Sequence, residues 1–117
     1  MNTIIINTND GKFIKLHHKL LPHFSVIHSL QEDLDATPLK LDTSYDILHY
    51  SIKLTSKLVH SRFKFTDVPL DLLIQLIKFC DYIGNDILLY KMIEIYNNYY
   101  IHYLLDNIYI QNASRTG

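Results

Sequence analysis

The stretch from Val68 to Asn85 constrains the fold most, because it reads as one helix with marked ends and almost no polar surface. Pro69 fits the first helical position, where its missing N–H is no loss. Val68, preceding the proline, is pushed out of the helical region and closes the upstream side. Asp71 falls in the first turn, where the helix dipole favours a carboxylate. Gly84 stands where a left-handed residue ends a helix, and Asp86 is placed to cap a second one. Asp71, Gln75, Lys78 and Tyr82 step by four, three and four and form one narrow polar stripe. Leu70, Leu73, Ile77 and Cys80 are expected to face one neighbour, and Leu72, Leu76, Phe79 and Ile83 another. A helix apolar over most of its circumference is expected to be enclosed. The segment around Ile74 is therefore predicted to sit inside a shell of sheet and flanking helices.

The remaining elements supply that shell. Thr3 to Thr8 is short and β-branched, Asn9-Asp10-Gly11 is a hairpin turn, and Lys12 to His17 is the return strand. Ile14 and Leu16 share one face of it, with Phe13 opposite. Ser25 to about Leu34 has helical spacing, with Phe24, Ile27, Leu30 and Leu34 on one side. A turn at Asp35-Ala36-Thr37-Pro38 leads to a third, very short strand, Leu39-Lys40-Leu41. Asp42, Thr43 and Ser44 are N-cap candidates, and Thr43 with Asp46 resembles a capping box, for a helix that runs to about Leu58 and buries Ile47, Leu48, Ile52 and Leu54. Val59 to Asp67 is a loop or extended segment. A last helix spans Ile87 to about Leu105, with Leu88, Met92, Ile95 and Tyr99 on one face and Leu89, Ile93, Tyr96 and Tyr100 beside them. The expected architecture is α+β, a small three-stranded sheet with an N-terminal β-hairpin packed on a cluster of about five helices. Residues 1–105 form the domain and 106–117 a C-terminal tail.

Composition narrows the function classes. At 117 residues, with 48% apolar and 20% charged residues, the chain is long enough for one core without disulfides. Net charge is −1 with Lys and Arg scattered, so the basic stripe that nucleic-acid binding needs is absent. Cys80 stands alone, which excludes a disulfide framework or cysteine zinc site within one chain and suits a reducing compartment, cytoplasmic or nuclear. No signal peptide and no membrane span are expected. Abundant Ile, Asn, Lys and Tyr without Trp fit the coding bias of an AT-rich genome, viral or protist, so a viral protein acting in a host cell is one origin.

No catalytic or cofactor machinery emerges. The seven histidines, His17, His18, His23, His28, His49, His60 and His102, have no carboxylate or cysteine at metal-ligand spacing. Ser25 and Ser44 suit turn or cap roles, Cys80 lies on a buried face where a thiol is inert, and Gly11 and Gly84 serve turns. The expectation is a protein that is not an enzyme and holds no metal or cofactor.

Four stretches in order resemble the BTB/POZ superfamily, in its compact branch of elongin C and the S-phase kinase-associated adaptor of F-box ligases. Ile4-Ile5-Ile6-Asn7-Thr8-Asn9-Asp10-Gly11-Lys12-Phe13 is similar to the opening strand, Asp-Gly turn and return strand of that family. Ser25 to Leu34, with its closing Glu32-Asp33-Leu34, is similar to the first helix, and Asp42 to Ile52 to the segment after the short strand. Val68 to Asn85 is similar to the family helix carrying Ala-Asn/Asp-Tyr/Phe-Leu, here Cys80-Asp81-Tyr82-Ile83. The acidic insertion of the F-box adaptors is missing, as in elongin C. The chain nevertheless continues beyond the fourth helix as those adaptors do, and lacks their further C-terminal helix.

The resemblance implies a scaffold that binds the N-terminal domain of a cullin and bridges it to a substrate receptor of a ubiquitin ligase. Asp81, Tyr82 and Asn85 then occupy the cullin-facing positions. Tyr suits such a role because it offers a large contact area and a polar tip at small entropic cost; the plain alternative is a ring that merely ends the helix half-buried. Tyr100 and Tyr103 are a second candidate interface, since the last helix has room to outrun the domain, whereas Tyr96 and Tyr99 are read as core. The other reading is a self-assembling structural BTB-like module, a dimer or viral assembly component, without a ubiquitin role. Both readings are protein partners or self, with no nucleic acid and no membrane.

Overall fold

The alternation of β-branched residues around Asp10-Gly11 produces the hairpin that starts the fold. The computed structural model describes residues 3–34 and 38–116, and the side chains of these except 33–34 and 109–116. Strands β1 (Thr3–Asn7) and β2 (Phe13–His17) pair antiparallel, with Ile4 opposite Leu16 and Ile6 opposite Ile14. Gly11 adopts φ +77°, and the turn closes through the Thr8 amide donating to the Lys12 carbonyl at 2.8 Å. Ile4, Ile6 and Leu16 point into the core, while Phe13 is exposed, as the alternation requires. Strand β3 (Leu39–Lys40) joins the other edge of β1 in parallel, giving the order β2-β1-β3. The turn expected at Asp35–Thr37 and the packing expected of Leu34 lie outside the described residues.

Among the described residues four α-helices, rather than about five, and three short 3-10 turns complete the α+β fold: α1 (Ser25–Leu34), α2 (Tyr45–Val59), α3 (Leu73–Ile83) and α4 (Asp86–Thr116). The 3-10 turns are Leu21–His23, Phe65–Asp67 and Leu70–Leu72. Of the expected N-cap candidates it is Ser44 that caps α2, its hydroxyl accepting from the Ile47 amide, and not Thr43 of the capping box. Thr43 is buried instead, and its carbonyl accepts from the Asn9 amide at 2.9 Å. The Asp10 carboxylate accepts from the Thr8 hydroxyl and from the Tyr45 amide, so the hairpin turn is fastened to the start of α2. Phe24, Ile27, Leu48, Leu54, Leu76, Ile83, Leu88 and Met92 fill the centre of the core.

Helices α3 and α4 form an antiparallel hairpin, joined by Gly84 in the left-handed conformation (φ +74°). A Cβ on Gly84 would lie 2.0 Å from the Ser25 hydroxyl oxygen, so α1 also approaches closely here. The α-helical part begins at Leu73, later than expected, because Leu70–Leu72 is a separate 3-10 turn and Pro69 stands before it with ψ 110°. The enclosure expected of this helix is also corrected. Leu73, Leu76, Phe79, Cys80 and Ile83 are buried, but Ile74 is 47% exposed and Leu70 equally so. Helix α3 packs mainly on α4, with smaller contacts to α2 and α1, which leaves the Leu70–Ile74 side uncovered.

The last helix differs most from expectation. It continues to Thr116, through the expected tail, and is about 46 Å long for its 31 residues. Leu88, Met92 and Ile95 bury into the body; from Tyr96 onward the described side chains are exposed, apart from the half-buried Asn107. Tyr96 and Tyr99, expected in the core, are therefore surface residues. The molecule measures 68 × 29 × 20 Å, with the projecting helix along its long dimension.

Candidate functional site

Because α4 runs back along α3, its tyrosines arrive beside the beginning of that helix. Tyr96, Tyr99, Tyr100 and Tyr103 fall within one face of α4 at helical spacing. With Leu70, Leu73 and Ile74 they line a groove of about 230 Å³. The Tyr96 and Tyr100 rings stack, 6.3 Å between centroids and 2° between planes. A second, wider depression of about 660 Å³ adjoins it, shares Leu70 and Tyr99, and is bounded by Phe65, Ile95, Asn98 and His102. Together they make an open, aromatic-rimmed surface whose polar atoms are mostly phenol tips and amides. Tyrosine in that setting supplies contact area with a hydrogen-bonding end.

The rim at Phe65 is held by charge. Asp67 accepts from the Lys64 amide at 2.9 Å and lies 3.0 Å from Lys57 Nζ, which ties the 3-10 turn to α2. The Lys57 ammonium, followed by the Lys64 amide, holds the Asp67 carboxyl below its ordinary value. Lys91 Nζ stands 5.9 Å from the ring centres of both Phe63 and Phe65 and 3.1 Å from Glu94, clamping the rings against α4.

Asp81 and Tyr82 are exposed at the other end of α3, Tyr82 by 55%, with its ring tilted against Phe79. They lie about 12 Å along the helix from Ile74. The structure thus presents two separate surfaces on the α3–α4 hairpin, one holding Asp81 and Tyr82, the other Tyr100 and Tyr103. Asn85 belongs to neither. It is 0% exposed; its Nδ2 donates to the Thr55 hydroxyl at 2.9 Å and its Oδ1 accepts from the Leu88 amide at 3.2 Å. Its assignment to the cullin-facing set is corrected: Asn85, not Asp86, is the side-chain cap of α4, and a side chain inside the body reaches no partner.

Leu70, Ile74, Phe65, Tyr96 and Tyr99 were missed as surface residues. A signal for the tyrosines exists in the sequence: beyond Ile95 the apolar positions spread over about two-thirds of the helix circumference, more than one neighbouring helix can cover. For Ile74 there was none, since coverage is a tertiary property.

Burial pushes the Cys80 thiol up to about 12, so it stays protonated at neutral pH. Among the described residues no three His, Cys, Asp or Glu side chains are grouped to hold a metal ion. His60 Nδ1 lies 2.7 Å from the Ser56 carbonyl and His28 Nε2 3.2 Å from Glu32, both local helix contacts. No described helix is long and apolar enough to cross a membrane. Compared with known proteins, the chain matches no family model and no curated protein.

Proposed function

We propose that the chain is a non-catalytic adaptor of the BTB/POZ kind that joins a cullin-type scaffold to a substrate receptor in a ubiquitin ligase. The observation that carries this reading is the open aromatic groove between Leu70, Ile74 and the α4 tyrosines, with a second exposed aromatic, Tyr82, at the opposite end of α3. One short helix hairpin offering two contact surfaces about 12 Å apart suits a protein that holds two partners at once. The N-terminal hairpin, the short third strand and the helices make a small α+β domain, the class of fold that the resemblance implies. In this reading Asp81 and Tyr82 meet the scaffold, and Tyr100 and Tyr103 meet the receptor.

Purified cullin N-terminal domains should be retained by the immobilised chain. Tyr82→Ala is expected to weaken that binding by at least about 10-fold, the usual effect of truncating a central aromatic. Tyr100→Ala/Tyr103→Ala is expected to leave scaffold binding intact. Absence of binding by the parent chain to every cullin tested removes the reading.

A further inference from the structure

The tyrosine groove uses only one side of the projecting half of α4. At 100° per residue, Tyr96, Tyr99, Tyr100 and Tyr103 fall within an arc of about 100°. Ile101, Leu104, Leu105 and Ile108 fall within another arc of the same width, centred about 140° away. These four aliphatic side chains line neither the tyrosine groove nor the adjoining depression, and each is 40% to 52% exposed. Between Tyr96 and Ile108 the His and acidic side chains, His102 and Asp106, lie on the third side of the helix, off the aliphatic stripe. An uncharged i, i+3, i+4, i+7 stripe is the pattern of a helix-pairing seam.

We infer that this stripe pairs with the same stripe of a second copy, as an antiparallel helix pair with its two-fold axis between Leu104 and Leu105. The inference stands apart from the adaptor reading, since it uses neither Tyr82 nor the tyrosine groove. The seam is self-complementary: Ile-Leu-Leu-Ile at spacings of three, one and three reads the same in both directions. An axis between Leu104 and Leu105 sets Ile101 opposite the partner's Ile108, and Leu104 opposite the partner's Leu105. Every aliphatic group of the stripe thereby meets another, the requirement of an isologous interface. A partner carrying charges would find no counter-charge on the stripe, whereas a second copy leaves none uncompensated.

Antiparallel pairing separates the two bodies along the helix pair. Paired helix axes stand about 8–10 Å apart. A parallel pair would put both bodies at the same level, against a molecular cross-section of 29 × 20 Å. In the antiparallel pair, the axis lies about 14 Å beyond Ile95 of each copy, so the bodies occupy opposite ends. A contact of four half-exposed aliphatic side chains per copy is smaller than a standard specific interface, so the dimer is reversible and concentration-dependent.

Sedimentation equilibrium of the full chain from about 1 to 100 µM should show the mass rising from the monomer value towards twice it. For this chain the monomer is 13.8 kDa. Leu104→Glu/Leu105→Glu brings like charges face to face and is expected to weaken association by at least about 100-fold. At concentrations where the parent is monomeric, its circular dichroism melt should match the parent's, because both side chains are exposed in the single chain. Under mild oxidation, chains carrying Ile101→Cys should cross-link to chains carrying Ile108→Cys and not to themselves. A parent chain that stays monomeric throughout the range overturns the inference. So does dimerisation of the double-Glu variant with parent affinity, which places the contact on another face, or self-cross-linking of Ile101→Cys, which makes the pair parallel.

Discussion

Asn85 does more for the fold than any other polar side chain of the α3–α4 hairpin. It satisfies a helix-terminal amide and the Thr55 hydroxyl at once, and Thr55 in turn donates to the Ser51 carbonyl at 2.6 Å. Asn85→Ala removes a cap and strips a buried hydroxyl of its donor, so urea unfolding should show a loss of about 2–4 kcal/mol. Asp86→Ala, on the exposed first turn, should cost less than about 1 kcal/mol. Gly84→Ala is costly for two separable reasons, the left-handed backbone and the Ser25 hydroxyl. In a Ser25→Ala background its cost should fall by about 1 kcal/mol, leaving the backbone part. Asp10 ties hairpin to helix: the Thr8 hydroxyl, and less strongly the Tyr45 amide, hold its carboxyl below the ordinary value. A depressed folded-state value means that this carboxylate stabilises the fold above the unfolded value, near pH 4. That contribution disappears as pH falls through the folded value. The stability gap between parent and Asp10→Asn should therefore be full at pH 7 and shrink in thermal melts as pH drops below about 4.

At the scale of elements, α3 divides into a buried face and an open one, and mutation should separate them. Leu76, fully buried, should cost about 2–5 kcal/mol on truncation to Ala, whereas Ile74→Ala should cost under about 1 kcal/mol, measured by the shift of the urea midpoint. Equal losses at the two positions would mean that the Leu70–Ile74 side is covered in solution. The same contrast marks how far the sequence could be read. The hairpin at Asp10-Gly11, the bounds of α1 and the stop at Gly84 are local events, written in turn chemistry and periodicity over a few residues. The start of α3 was misplaced because a 3-10 turn and an α-helix share the same capping signals at Pro69 and Asp71. Enclosure of Ile74 was misjudged because an apolar position records that burial is favourable, not that a neighbour exists to provide it. For Asn85 the resemblance implies a partner-facing position, while its place three residues before Leu88 is that of a cap.

The whole molecule is longer than its size requires. A compact chain of this length has a radius of gyration of about 13 Å, against 18.0 Å here. The excess comes from the part of α4 beyond Ile95, which the body flanks along Phe65, Leu70 and Ile74 but does not enclose. An isolated helix of about 20 residues is marginal in water, and this one exposes apolar side chains on two sides. Its order must therefore depend on what covers it. Hydrogen exchange tests this directly. Amides of 76–92 lie in the packed hairpin and should exchange only through global opening, at a rate independent of protein concentration. Amides of 98–108 should exchange close to the unprotected rate in dilute solution and slow by at least about 10-fold when the concentration is raised into the dimerising range. The concentration at which protection appears should coincide with the rise in mass. Leu104→Glu/Leu105→Glu should keep the distal amides fast at every concentration while leaving the hairpin amides unchanged. Strong protection of 98–108 in dilute monomer would instead mean that the chain's own body holds the helix, and the exposed stripe would then need no partner to explain its order.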